Sequence, residues 1–235
     1  MASKRHKKNL ELLETGKLYS LNEAFELLQK FEGPKFDETI NLAMRLSVDT
    51  SKADQQVRGA TVLPHGVGKK VRILVFAKGD KGQEAEACGA DFVGGDDLVT
   101  KIQGGWLEFD KVIATPDMMA TIAKIARVLG PRGLMPNPKL GTVTVNLKKA
   151  IDEEKKGKVE FRAEKAGIVH APLGKKSFGK DKLLDNLSAI VASVMRLKPS
   201  SSKGAYLRSV TISGAMTPGI SLELNQLGNL SKAEA

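Results

Sequence analysis

Apolar positions along the chain change their period twice, and each change marks a different kind of element. Leu10, Leu12 and Leu13 follow a short basic run and stop before Gly16, which predicts a first helix. Ser20-Leu-Asn-Glu23 then has the Ser-x-x-Glu form, in which a hydroxyl and a carboxylate satisfy the free amides of a helix start. Behind it Leu21, Ala24, Phe25, Leu28 and Phe31 recur at helical spacing, and Gly33-Pro34 ends the second helix. Next, Ile40, Leu42, Met44, Leu46 and Val48 alternate with Asn41, Ala43, Arg45 and Ser47, the mark of a half-buried strand. A second strand is predicted over 57–63. The cluster Pro64-His65-Gly66-Val67-Gly68 after it marks a turn or hinge.

From Val71 the style is different. Val71-Arg-Ile-Leu-Val-Phe-Ala77 is a near-continuous apolar run, as expected of a strand covered on both faces. A helix around 83–88, a short strand at Phe92-Val93, a helix over 96–103 and a strand over 111–115 follow. Met118, Ile122, Ile125 and Val128 give 117–129 a helical period. Strand and helix in alternation predict a small α/β layer with mostly parallel strands. Beyond a helix-like 150–156 and the breaker Gly157, Val159-Glu-Phe-Arg-Ala163 returns to alternation, with 168–171 as its expected partner strand. Leu183, Leu184, Leu187, Ile190, Val191, Val194 and Leu197 form one apolar stripe on a long helix, Pro199-Ser-Ser-Ser202 interrupts it, and strands follow over 206–213 and 220–224. Asn225 onward reads as a frayed polar tail.

Half-exposed strands therefore occupy both ends of the chain and buried ones the middle. The economical fold is a discontinuous α+β domain, 1–66 with 158–235, into which a three-layer, Rossmann-like α/β domain of residues 67–157 is inserted. Two covalent crossings, at Pro64, Gly66 and Gly68 on one side and Gly157 on the other, would permit a hinge. Charge supports the division. The 235 residues carry a formal charge of +10. Residues 1–66 hold 10 basic and 9 acidic side chains and 158–235 hold 12 and 6, so the outer portion carries +7 and the insert +3. A basic excess draws a polyanion, since each neutralised phosphate releases counterions, and the outer portion is the better candidate surface.

Other chemistries find little support. Cys88 is the only cysteine and His6, His65 and His170 are far apart, so neither a disulfide nor a Cys-rich zinc site is expected. No apolar stretch suits a signal peptide or a membrane span. Gly66-Val-Gly-Lys-Lys70 has Leu63 where a phosphate loop needs its first Gly, and Lys70 where it needs Ser or Thr. Gly-x-Gly-x-x-Gly, Gly-x-Ser-x-Gly and His-Glu-x-x-His are all missing. Neither an enzyme nor a cofactor is expected.

Three stretches invite a binding role, each with a plain alternative. Gly130-Pro-Arg-Gly-Leu-Met-Pro-Asn-Pro-Lys-Leu-Gly141 must be a shaped loop; Arg132 and Lys139 either make a secondary RNA contact or decorate a rigid connector. Lys158 to Lys182 is rich in cations, and Gly174-Lys-Lys-Ser177 would present ammonium groups to phosphate, unless this is only a solvated charged face. Ser213-Gly-Ala-Met-Thr-Pro-Gly219 joins two strands. Its small residues would allow close approach with Met216 as an exposed apolar contact, although a tight connection explains Gly and Pro equally well. Aromatics are scarce, so base stacking on a sheet is not expected to dominate.

Val57-Arg-Gly-Ala-Thr-Val-Leu-Pro-His-Gly-Val-Gly-Lys69, Gly130-Pro-Arg-Gly-Leu-Met-Pro-Asn-Pro-Lys139, Val159-Glu-Phe-Arg-Ala163 and Ile168-Val-His-Ala-Pro172 together resemble the bacterial large-subunit ribosomal protein L-one family, the stalk proteins, in the same order and over nearly the whole chain. The resemblance implies a first domain made of both chain ends, bound to a helical junction of large-subunit rRNA, and an inserted second domain. It further implies a stalk that helps discharged tRNA leave the exit site, repression of translation of the protein's own operon mRNA, and a cytoplasmic protein on the ribosome that is monomeric off it. A free-standing RNA-binding translational regulator is the alternative. Carried over by motif, the RNA-facing residues are Glu26, Lys35, Phe36, Thr39, Glu164, Lys165, His170 and Ser209, with the loop Ala215, Met216 and Thr217. This loop departs from the family's usual Thr-Met-Gly-Pro, reading Ala215-Met216-Thr217-Pro218. The lost hydroxyl would cost a hydrogen bond of roughly 1 kcal/mol and Thr217 would restrict close approach, unless Thr217 itself supplies the hydroxyl.

Overall fold

The computed structural model describes residues 3–14, 16–202 and 204–226. In chain order the elements are α1 (Lys4–Glu11), α2 (Leu21–Lys30), β1 (Thr39–Leu46), β2 (Arg58–Val62), β3 (Ile73–Phe76), α3 (Asp80–Ala87), β4 (Phe92–Gly94), α4 (Asp96–Gln103), β5 (Lys111–Ala114), α5 (Met119–Ile122), α6 (Ala126–Leu129), α7 (Leu147–Lys155), β6 (Lys158–Arg162), β7 (Ile168–Lys175), α8 (Lys180–Arg196), β8 (Leu207–Gly214) and β9 (Ile220–Ser221). This is a mixed α/β fold. Contacts group the chain into two units, 1–68 with 159–235, and 69–158.

In the first unit a four-stranded sheet has the order β7-β1-β8-β9, antiparallel throughout. The alternation read in β1 decides which side is covered. Ile40, Leu42, Met44 and Leu46 are buried with Val169, Ala171 and Leu173 of β7 and Val210 and Ile212 of β8. Ala24, Phe25 and Leu28 of α2, and Leu183, Leu187, Ile190, Val191 and Val194 of α8, complete that core. α2 forms because its apolar residues share one face and because its start is capped on both sides. Ser20 Oγ accepts from the Glu23 amide, and the Glu23 carboxylate accepts from the Ser20 amide. Among the described residues the opposite side of the sheet is left open.

In the second unit β4, β3 and β5 run parallel in that order. Every residue of β3 is buried, because both faces are covered. Leu74, Phe76, Val112 and Ala114 face α4 and the helical segment 116–129, while Ile73, Val75 and Ile113 face Ala85 of α3 and Leu147, Ala150 and Ile151 of α7. Ala114 also makes a parallel bridge to Val143, a strand position that had no apolar run to announce it.

Four expectations change. β6 does not pair along its length with β7. It pairs with β2, and an isolated Ala163–Val169 bridge links its end to β7, whose long partner is β1 from Ile168 to Lys175. Residues 116–129 are not one helix. Two short α turns alternate with 3₁₀ turns, and Ile125 (φ −107°, ψ 8°) interrupts the ladder while Met118, Ile122, Ile125 and Leu129 still reach the core. The last strand is only two residues long, Ile220–Ser221. Finally, Asn225 and Gln226 are not frayed: 224–226 is helical, and the Leu21 amide donates to Gln226 Oε1 at 3.0 Å. The rest of that expected tail, 227–235, lies outside the described residues.

The segment read as a hinge is built differently from end to end. Gly66, Gly68 and Gly157 all have positive φ, at 65°, 74° and 94°. The turn Pro64–Gly66 is nevertheless pinned to α8, where buried Asn186 accepts from the His65 amide and donates to the Gly66 and Leu173 carbonyls. Three residues on, Asp110 accepts from Lys69 Nζ at 2.7 Å and from both the amide and the Nε of Arg72. These donors hold its carboxyl down at about 2.

Candidate nucleic-acid interface

The open face of the four-stranded sheet follows from register. Thr39, Asn41, Ala43 and Arg45 run down its centre on β1. Opposite them on β7 stand Pro172 (beside Asn41), His170 (beside Ala43) and Ile168 (beside Arg45). On β8 stand Ser213, Thr211 and Ser209, facing Asn41, Ala43 and Arg45. The face thus carries short polar side chains, one guanidinium and one imidazole, interspersed with the apolar Ala43, Ile168 and Pro172. Among the described residues Arg45 has no acidic partner. Such a surface suits hydrogen bonding to sugar and phosphate more than stacking.

Two exposed apolar side chains mark the end of this face where β1 begins. Phe36 is 55% exposed in the loop before β1, and Met216 is 52% exposed in the β8–β9 loop. The Phe36 loop is fixed by Asp37, whose carboxylate accepts from the amide and hydroxyl of Ser177. In the second loop the Thr217 hydroxyl accepts from the Gly214 amide at 2.9 Å, while an Arg5 guanidinium nitrogen lies 3.7 Å from Met216 Sδ. Thr217 therefore closes the loop, and its own proton remains available to a ligand. Ala215 is exposed beside it.

Beneath the second loop lies a group that no sequence pattern singles out. Glu38 is 1% exposed, and neither carboxylate oxygen has a hydrogen-bond partner among the described residues. Burial pushes its pKa up, against the pull of Lys176, Arg5 and the Met216 amide. A Cβ on Gly214 would collide with Glu38 Oε2 and lie 2.7 Å from Thr217 Oγ1, so only glycine fits there. Because the folded-state pKa is raised, the stability linked to this group is fully present below the unfolded carboxyl value. It is lost as pH rises through the folded value. Glu38→Gln should therefore gain in Tm relative to the parent chain as pH goes from about 4 to about 8. Thermal melts at several pH values check this, and a flat difference would refute it.

The other residues carried over by motif are only partly brought together. Thr39, His170 and Ser209 lie on the open face, and exposed Lys35 is in the Phe36 loop. Glu164 and Lys165 are exposed on the turn between β6 and β7, with Glu164 Oε1 4.0 Å from His170 Nε2. Glu26 is not on this face. It belongs to α2, on the covered side of the sheet, and pairs with Lys180 at 3.2 Å. The Gly174–Ser177 segment does not offer its ammonium groups. Lys175 Nζ donates to the Asp37 carbonyl and Thr39 Oγ1, and Lys176 Nζ donates to the Phe31 carbonyl, because this turn clamps the start of β1. Arg132 and Lys139, in the other unit, are exposed on a loop stiffened by an Asn137–Thr142 hydrogen-bond exchange. Asn41, Arg45 and Thr211 are not among the residues the sequence singles out, although strand alternation turns the first two outward.

No group of three or more His, Cys, Asp or Glu able to hold a metal occurs among the described residues, and no helix there is long and apolar enough to cross a membrane. The sequence profile of the Ribosomal protein L1p/L10e family matches residues 28–218. The chain belongs to this family. Large ribosomal subunit protein uL1 of Bdellovibrio bacteriovorus is 56% identical to it over 225 residues, covering 96% of each chain. The family is structural and non-enzymatic.

Proposed function

We propose that this chain is a structural protein of the large ribosomal subunit, and that its open sheet face binds large-subunit rRNA at a helical junction. The observation that carries the reading is the largely polar open face on β7, β1 and β8, ended by exposed Phe36 and Met216. Hydroxyls, Asn41 and Arg45 address sugar and phosphate, while the two apolar side chains fill a shallow surface at one end. Residues 1–68 with 159–235 act as the rRNA-binding domain and 69–158 as an inserted domain. The Asn186 and Asp110 straps leave Val67 and Gly68 as the pivot on one side and Gly157 as the pivot on the other. Movement of the inserted domain as part of the stalk helps deacylated tRNA leave the exit site. The same rRNA-binding face, offered a mimic of its site, represses translation of the protein's own operon mRNA. The protein works in the cytoplasm on the ribosome and is a monomer off it.

The test is binding of the full chain to a transcript of the large-subunit rRNA junction at about 0.1 M salt. Tight binding is expected, well above that to an unrelated RNA of equal length. Met216→Asp places a carboxylate against phosphate and should weaken binding about fivefold, roughly 1 kcal/mol, with an unchanged Tm. Equal affinity for the junction and the unrelated RNA would overturn the reading.

A further inference from the structure

The unit formed by 1–68 and 159–235 also holds a groove of about 880 Å³, away from the apolar end of the sheet. Thr50, Ser51 and Gln56 line one part of it, Arg58 of β2 and Arg162 of β6 another, and Lys165 and His170 lie where it meets β7. β7 is the edge strand of the open sheet, so the groove continues the polar face around that edge.

Two features point to an anionic occupant. Arg58 and Arg162 stand at adjacent ends of paired strands, each one residue inside the bond that the Ala163 amide donates to the Val57 carbonyl at 2.9 Å. Like charges on neighbouring strand ends repel one another. Yet among the described residues no carboxylate pairs with Arg58, Arg162 or Lys165. The one acid lining the groove, Glu164, is turned toward His170. The second feature is the donor set. Guanidinium forks and a side-chain amide are groups that bind phosphate and ribose oxygens, whereas the Thr50 and Ser51 hydroxyls already donate to the Lys165 carbonyl and the Asp49 carboxylate.

We propose that this groove is a second RNA-backbone site, which takes the sugar-phosphate chain of rRNA leaving the open face past His170. Arg58 and Arg162 bind its phosphates, and the Gln56 amide binds a neighbouring oxygen. The inference rests on the reading of the open face as an rRNA surface and extends it by named contacts.

The experiment measures affinity of the full chain for the same junction transcript across a salt series. Arg58→Gln/Arg162→Gln and the single Arg162→Gln are compared with the parent chain. Arg162 is exposed, so the single variant remains informative if half-buried Arg58 proves necessary for folding. At about 0.1 M salt the double variant should bind about tenfold more weakly, and the slope of log affinity against log salt should fall by about 1.5. The single variant should lose about half of each. If the parent chain binds tightly and both affinity and slope are unchanged in the variants, the groove is overturned and the open face stands. A fall in affinity with no change in slope also overturns it, because no phosphate contact was lost. Failure of the parent chain to bind overturns both readings.

Discussion

Asn186→Ala is expected to destabilise the unit of residues 1–68 and 159–235 by about 3 kcal/mol, the cost of three buried hydrogen bonds and of the backbone groups left behind. The side chain is fully buried, donates to the Gly66 and Leu173 carbonyls at 3.0 and 2.7 Å, and accepts from the His65 amide at 3.1 Å. Truncation leaves two carbonyls and one amide to find other partners, in a place shielded from water. A thermal melt should show the Tm of that unit falling by roughly 9 °C. Hydrogen exchange should show the His65 amide losing protection before the strands do. A fall of less than about 1 kcal/mol would mean that the 64–66 turn is held by other contacts.

Arg45→Glu should produce the largest loss of rRNA affinity of any single change on the open face. Arg45 is exposed at the middle of the sheet between Ile168 and Ser209, with no acidic partner among the described residues. Reversal removes one phosphate contact and adds a repelled carboxylate. The expected loss is about thirtyfold, roughly 2 kcal/mol, at about 0.1 M salt, shrinking as salt rises. Fold is unaffected, because the neighbouring inward residues Met44 and Leu46 are untouched. Unchanged affinity would move the RNA off this face.

Much of the scaffold was legible because alternation and helical period are direct images of burial. Ile40 to Leu46 point inward and Asn41 to Arg45 outward in the structure as in the sequence, and the Ser20–Glu23 cap forms. What was not legible depends on partners distant in sequence. The β6–β7 segment reads as a hairpin by proximity, whereas β1, more than 120 residues earlier, is the partner of β7. The charge run from Lys158 to Lys182 was misleading for the same reason. Lys158, Lys175, Lys176 and Lys180 are spent on Glu153, Thr39 with the Asp37 carbonyl, the Phe31 carbonyl and Glu26. Among the described residues the unspent cations include Arg45, Arg58, Arg162 and Lys165, spread over three strands and a turn. Glu38 was invisible because Asp37-Glu38 reads as a solvated acidic turn until the loop after β8 closes over one of the two.

The short side chains of the open sheet bear on the thermodynamics of association. Ala43, Thr39, Thr211, Ser209 and Ser213 have few rotamers to surrender, and their strands already fix their positions. Freezing a long, flexible side chain at an interface costs about 0.5–1.5 kcal/mol each, and on this face that cost falls chiefly on Arg45 and, at its end, on Met216. In the proposed complex such a surface would meet its ligand nearly rigid, and the entropic toll of docking would fall mainly on the nucleic acid.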